Sequence, residues 1–154
     1  MAKLSAFRLD AAAISDGEWI TVGVGGDTFE IRTRGFTARY RDALNALRRD
    51  AARKANRGLV PGAIPFSPDN LPPTVDDACQ GEALAQHCIL DVRGLQQDDG
   101  TAVTADDFRA MLTDRDSYVA LLVLALNAAS SVGQARTEEA QEAAKNSVAG
   151  FAGT

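Results

Sequence analysis

The sequence has a single histidine, a single tryptophan and two cysteines, and no long apolar run. Its longest uninterrupted apolar stretch, Tyr118 to Leu126, is nine residues, about half of the ~20 a helix needs to cross a bilayer. No apolar h-region follows Met1–Arg8, where Lys3 and Arg8 flank a short apolar patch, so a secretory leader is not expected. Excess positive charge is missing too. A formal charge of −5 and a pI near 4.8 argue against a protein whose whole surface binds nucleic acid or anionic membrane. Aromatics make up only 6% of the chain while alanine is abundant, which points to helices packed through small side chains. These absences lead us to expect a soluble protein that stays in the cytoplasm. Two cysteines fit that reducing compartment as well as any other. On one helix, Cys79 and Cys88 would stand ~13.5 Å apart along the axis, too far for a disulfide.

At 154 residues there is enough chain for one domain with a real core. The expected fold class is α+β, mainly α, with an N-terminal β-hairpin followed by four to five helices. Residues 1–135 should form the globular domain, with a proline-rich connection at 58–73 and a polar, helical or disordered tail at 136–154. In the hairpin, Glu18–Val24 alternates, Gly25-Gly26-Asp27 supplies turn chemistry, and Thr28–Arg34 returns with Phe29, Ile31 and Thr33 on one face. Thr37 is a plausible N-cap for a helix to about Asn56, with Tyr40, Leu44, Leu47 and Ala51 on one stripe. All five prolines fall between Pro61 and Pro73, so that stretch is extended or turning. Thr74 is expected to cap a helix through about Leu90, and Thr104 a short helix from Ala105 to Leu112. An apolar helix over 115–132 follows. From Tyr118 to Leu126 it has no polar face, so it is expected to be buried on all sides, either as the central core helix or shared with another chain. Tyr118, Leu121, Leu122, Leu124 and Leu126 are the candidate protein-binding residues.

Constellations that might carry chemistry fail on geometry. Around a helix from Cys79, His87 and Cys88 fall at about 80° and 180°, so the three do not converge on a metal, and neighbouring helical residues cannot form a Cys–His pair. Gln97-Asp98-Asp99-Gly100 has the look of a calcium loop. Aligning Gly100 with the obligatory glycine, however, puts Leu95 at the first ligand position and Asp106 where a bidentate glutamate belongs. Gly23-Val24-Gly25-Gly26 lies between antiparallel strands rather than between a strand and a helix, so it makes no phosphate cradle. The paired acids fall at helix starts and turns, where capping and the helix dipole account for them. No enzyme is expected, nor any catalytic residue, cofactor or metal. Charge is nonetheless polarised: residues 32–57 hold nine of the sixteen basic residues, and 69–116 hold eleven acids. The two halves either attract each other or are simply solvated, or they serve head-to-tail self-association or a matched partner. The arginine-rich segment leaves nucleic-acid binding as an alternative, disfavoured because Phe36 and Tyr40 belong to the core stripe.

Several short segments together resemble a family of phage tail assembly chaperones from long-tailed bacteriophages and gene transfer agents. These are Phe7-Arg8-Leu9-Asp10, Gly17-Glu18-Trp19, Phe29-Glu30-Ile31, Arg34-Gly35, Tyr40 and Ala143-Ala144-Lys145-Asn146-Ser147. Leu90-Asp91-Val92-Arg93-Gly94-Leu95 followed by Asp98-Asp99-Gly100 and Thr104 is similar to the family's strand-turn signature, with Asp91, Arg93, Gly94, Leu95, Asp99 and Gly100 as its structural residues. The 58–73 and Cys79–Cys88 regions fit less well. The resemblance implies a non-enzymatic protein of the host cytoplasm that binds the tape measure protein, helps recruit the tail tube protein, and leaves before the tail is finished. It also implies that a longer form is often made by ribosomal frameshifting. A small structural virion protein, for tail completion or connection, is the competing expectation.

Overall fold

Val24 and Asp27 pair across a two-residue Gly25-Gly26 turn, with Gly25 at a φ of 62° that favours glycine. This closes β1 (Glu18–Val24) onto β2 (Asp27–Thr33) as an antiparallel hairpin. The computed structural model describes residues 1–114 and 116–134, so the expected tail at 136–154 and the Ala143–Ser147 segment lie outside the described residues. Phe29, Ile31 and Thr33 are buried, as their alternation requires. A short 3-10 turn (Leu4–Phe7) and α1 (Ala11–Asp16), capped by the Asp10 carboxylate, precede the hairpin.

The hairpin does not stand alone. A third strand, β3 (Ile89–Arg93), pairs antiparallel with β2, giving the order β1-β2-β3. Opposite residues share a face, so Ile20, Ile31 and Val92 form one core row. Thr33 faces Ile89 while Arg32 faces Asp91, which leaves Leu90 as the extra residue of a bulge. On the other face Arg93 pairs with Glu30, and its guanidinium lies 4.0 Å from the Trp19 ring centroid. The Arg93 hydrogen bond holds the Glu30 carboxyl below its ordinary value.

Helix α2 (Ala38–Asn56) starts where expected, the Thr37 hydroxyl accepting from the Tyr40 amide at 3.2 Å. Phe36 and Tyr40 stack at 5.0 Å, and burial pushes the Tyr40 phenol up to about 12. Helix α3 (Pro73–His87) corrects the expected cap. Pro72 is the N-cap and Pro73 the first helical residue, which places Thr74 inside the first turn. It also ends three residues before Leu90, because Ile89 and Val92 are needed in the sheet. Helix α4 (Ala105–Leu112) begins at Thr104 with a full capping box to Asp107.

The core lies between the inner sheet face and the helices. Phe108, with no exposed surface, meets Phe29 edge-on at 6.1 Å, beside Leu84, Leu112 and Ile89. Between α2 and α3 the polarised charge finds a direct use. Arg48 Nε and Nη2 donate to both Asp76 carboxylate oxygens, at 2.6 and 3.2 Å, and the Gln80 amide donates to Asp76 at 2.9 Å. The proline-rich connection is tied down at Asn56, which donates to the Phe66 carbonyl and accepts from the Phe66 amide.

Candidate functional site

The apolar helix expected over 115–132 is α5, Val119–Ser131, and one of its sides is open. Asp114 sets its start, its carboxylate accepting from the Asp116 and Ser117 amides, and the Tyr118 carbonyl then takes the Leu121 and Leu122 amides. Leu122, Ala125, Ala128 and Ala129 are buried. The small alanines let the helix lie close against the sheet, and α5 also touches α3 and α4. Turned away from them, Val119 is 46% exposed and Val123 51%, and the same face continues through Asn127 and Ser130; Tyr118, the N-cap ahead of the helix, is 38% exposed.

Within the chain the helix is therefore not covered on all sides, which corrects the reading of it as the central core helix and leaves that of a helix shared with another chain. The helix runs along the edge of the core, because the sheet occupies one side of it and no other element among the described residues covers the opposite one. Of the candidate binding residues, Leu122 belongs to the core at 5% exposure, and Leu121, Leu124 and Leu126 are half-buried against it. Only Tyr118 is exposed. Val119 and Val123 were missed. A signal was present: Asn127 and Ser130 stand on the same helical stripe as Val119 and Val123, while Ala125, Ala128 and Ala129 mark the packed one.

The turn signature is brought together as one projecting loop. Gly94 and Gly100 have φ of 79° and 87°, and Gln96 and Ala102 form an isolated bridge. The Gly100 amide donates to the Gln97 carbonyl at 2.9 Å, and the Asp99 carboxylate accepts from the Thr101 amide; the Thr101 side chain, and after it this amide, lower the Asp99 pKa. Asp91 caps its own strand by accepting from the Val92 amide, Arg93 is engaged with Glu30, and Leu95 is half-buried against the core. These residues shape the loop.

Cys79 lies inside α3 and Cys88 at its C-cap; both are buried and neither is in a disulfide. Burial pushes Cys88 up to about 12, and its Sγ points at the Gly35 carbonyl, 3.6 Å away. Among the described residues no group of three His, Cys, Asp or Glu side chains is placed to hold a metal ion. No helix among them is long and apolar enough to cross a membrane. Phe36 and Tyr40 stack on each other and so are not free to take a base.

Among curated proteins and among solved structures nothing matches the chain. A protein-family comparison does find a match, over residues 36–146, to the family described as YdaY prophage protein. The matched region runs from the residue before the α2 cap, through β3 and α5, and past the last described residue. It covers well over half of the sequence, and the chain belongs to the YdaY prophage protein family.

Proposed function

We propose that this prophage-family protein is a non-enzymatic tail assembly chaperone, holding the tape measure protein in the host cytoplasm and helping to recruit tail tube subunits. The observation that carries this reading is the open apolar strip of Val119 and Val123, with the exposed Tyr118 at the N-cap, on a helix whose opposite side is core. A long helical client with an apolar stripe needs such a surface, and α5 offers it on a rigid element. The net charge of −5 favours solubility while the strip is uncovered. Membership of a prophage family and the resemblance in the hairpin and strand-turn segments both support a role in phage assembly.

The test is co-expression with the tape measure protein of the same prophage, using the wild type and Val119→Asp/Val123→Asp. Wild type is expected to keep the client soluble and co-purify with it. The double variant should fold normally, since both positions are on the surface, and lose the client. A folded double variant that still holds the client removes the strip from the reading. A client whose solubility never responds to the wild type removes the chaperone itself, and recovery of the chain in finished particles replaces it with a structural virion protein.

A further inference from the structure

Between α2 and the proline-rich connection runs an open groove of about 670 Å³, lined by Arg49, Ala52, Arg53 and Asn56 on one side and by Phe66 and Pro68 on the other. Asn56 holds it in shape through its two hydrogen bonds to the Phe66 backbone, at 2.9 and 2.7 Å. Arg49 is exposed and makes no ion pair among the described residues, and Arg53 has only a loose 3.7 Å approach to Asp50. The groove thus presents two guanidinium groups one helical turn apart, beside a part-apolar wall.

The same chain carries a matching projection. Gln97–Thr101 is exposed throughout, closed at its base by the Gln96–Ala102 bridge and by the Gln97 amide donating to the Thr101 carbonyl at 2.7 Å. Asp98 at its tip has no partner among the described residues, and Asp99, though engaged by the Thr101 amide and side chain, is exposed. Arg49 and Arg53, at i and i+4, have Cβ atoms about 5–6 Å apart. Two adjacent acidic residues, with Cα atoms about 3.8 Å apart and side chains free to diverge, can span that distance.

We propose that the chain associates head-to-tail through this pair, the Asp98-Asp99 turn of one copy seated in the Arg49–Arg53 groove of the next. A compact turn bearing two carboxylates suits the groove better than an extended polyanion. Pro68 also borders a neighbouring depression lined by Asp69, Asp77 and the Arg48–Asp76 pair, where the two carboxylates not held by Arg48 would repel a phosphate backbone leaving the groove. Repeated head to tail, the contact is heterologous and builds open chains, or rings where the rotation closes. Being small and electrostatic, it is reversible and salt-sensitive.

Sedimentation velocity of the full chain over a concentration series tests this. Wild type is expected to self-associate at ~0.01 M salt, where the Debye length is about 30 Å, and to weaken by roughly tenfold or more at ~1 M, where it is about 3 Å. Arg49→Gln/Arg53→Gln keeps the turn and loses the groove; Asp98→Asn/Asp99→Asn keeps the groove and loses the turn. Each is expected to be monomeric alone, and an equimolar mixture should form a heterodimer and nothing larger. A wild type that is monomeric at low salt, variants that associate as the wild type does, or a mixture that stays monomeric would each overturn the proposal. So would a monomeric wild type that binds a single-stranded oligonucleotide through the same arginines, which would reassign the groove to nucleic acid.

Discussion

Helix propensity alone recommends replacing Gly81, in the interior of α3, with alanine, a gain of about 1 kcal/mol. Packing reverses the sign. A Cβ at this position would lie 2.1 Å from the Leu112 carbonyl oxygen and 3.1 Å from its carbonyl carbon. Even a close carbon–oxygen contact stands at about 3.3 Å, so the last turn of α4 must withdraw by about 1 Å. The atom in the way is backbone, and no rotamer change relieves it. Overpacking costs about 1–3 kcal/mol, and this rigid case belongs at the upper end. After the propensity gain, Gly81→Ala is expected to destabilise the protein by about 2 kcal/mol.

For a chain of this size that is a fall of about 4–8 °C in Tm. Urea unfolding followed by circular dichroism should show a lower midpoint at unchanged slope. Gly81→Ser should be worse than alanine, since it meets the same carbonyl with less propensity gained. The built Cβ also stands 3.7 Å from Leu122 Cδ1, so the disturbance reaches the buried side of α5. An alanine variant as stable as the wild type, or more so, would refute the close α3–α4 approach and with it the placement of α5.

Three further outcomes follow from the same structure. Trp19 is the only tryptophan and reports on Arg93, so acid titration of its fluorescence should show a midpoint below 4.5, the ordinary glutamate value, that is abolished in Arg93→Gln. The Glu30–Arg93 pair stabilises the fold above the ordinary value and is lost as pH falls through the lower folded one; a midpoint at or above 4.5 contradicts it. Cys88 and Cys79 should be inert to a thiol reagent until the protein is unfolded. Because the folded Cys88 pKa is raised, its contribution is complete below 9.0 and is lost as pH rises from there towards about 12, with Tyr40 adding the same sign above 10.0. An alkaline stability curve that is flat over that range, or native thiols that react at once, would show that the pocket is open. A double-mutant cycle on Arg48 and Asp76, measured by urea unfolding, should give a coupling of about 1 kcal/mol, reduced from the buried-pair range because both side chains are about 30% exposed; a coupling of zero would mean that α2 and α3 are held by their apolar contacts alone.

What was legible in the sequence was local. Thr37 and Thr104 announce α2 and α4 because a hydroxyl one residue before a helix can reach an amide that has no partner inside the helix. Gly25-Gly26 announces the hairpin because few other residues accept its turn. The third strand was marked only by the resemblance of Leu90–Leu95 to a strand-turn signature, and not by the residues' own pattern. Only Cys88 separates α3 from β3, so no glycine or proline marks the change of period, and the bulged Leu90 disrupts the alternation that would have revealed a strand. The open face of α5 was only faintly marked, because its first two turns are all apolar and the polar residues of that stripe, Asn127 and Ser130, come only in the last ones. Which of its stripes faces water is settled by where the sheet lies, and β3 completes that sheet.

The family match and the physical core do not share a boundary. The match begins at Phe36, after β2 has ended, yet β3 inside the matched region takes its strand partner from β2 outside it. Phe108 and α5 likewise lie against Phe29, Ile31 and the rest of the inner sheet face. Residues 36–134 therefore carry an apolar face they do not cover by themselves, and β3 carries an edge they do not pair. The requirement is for a strand to pair with β3 and a small apolar face against Ala125, Ala128 and Ala129, and many two-stranded sequences can meet it. The helices and the open α5 strip are thus the part of this protein that sequence comparison recognises, while the hairpin is the part that lets them fold.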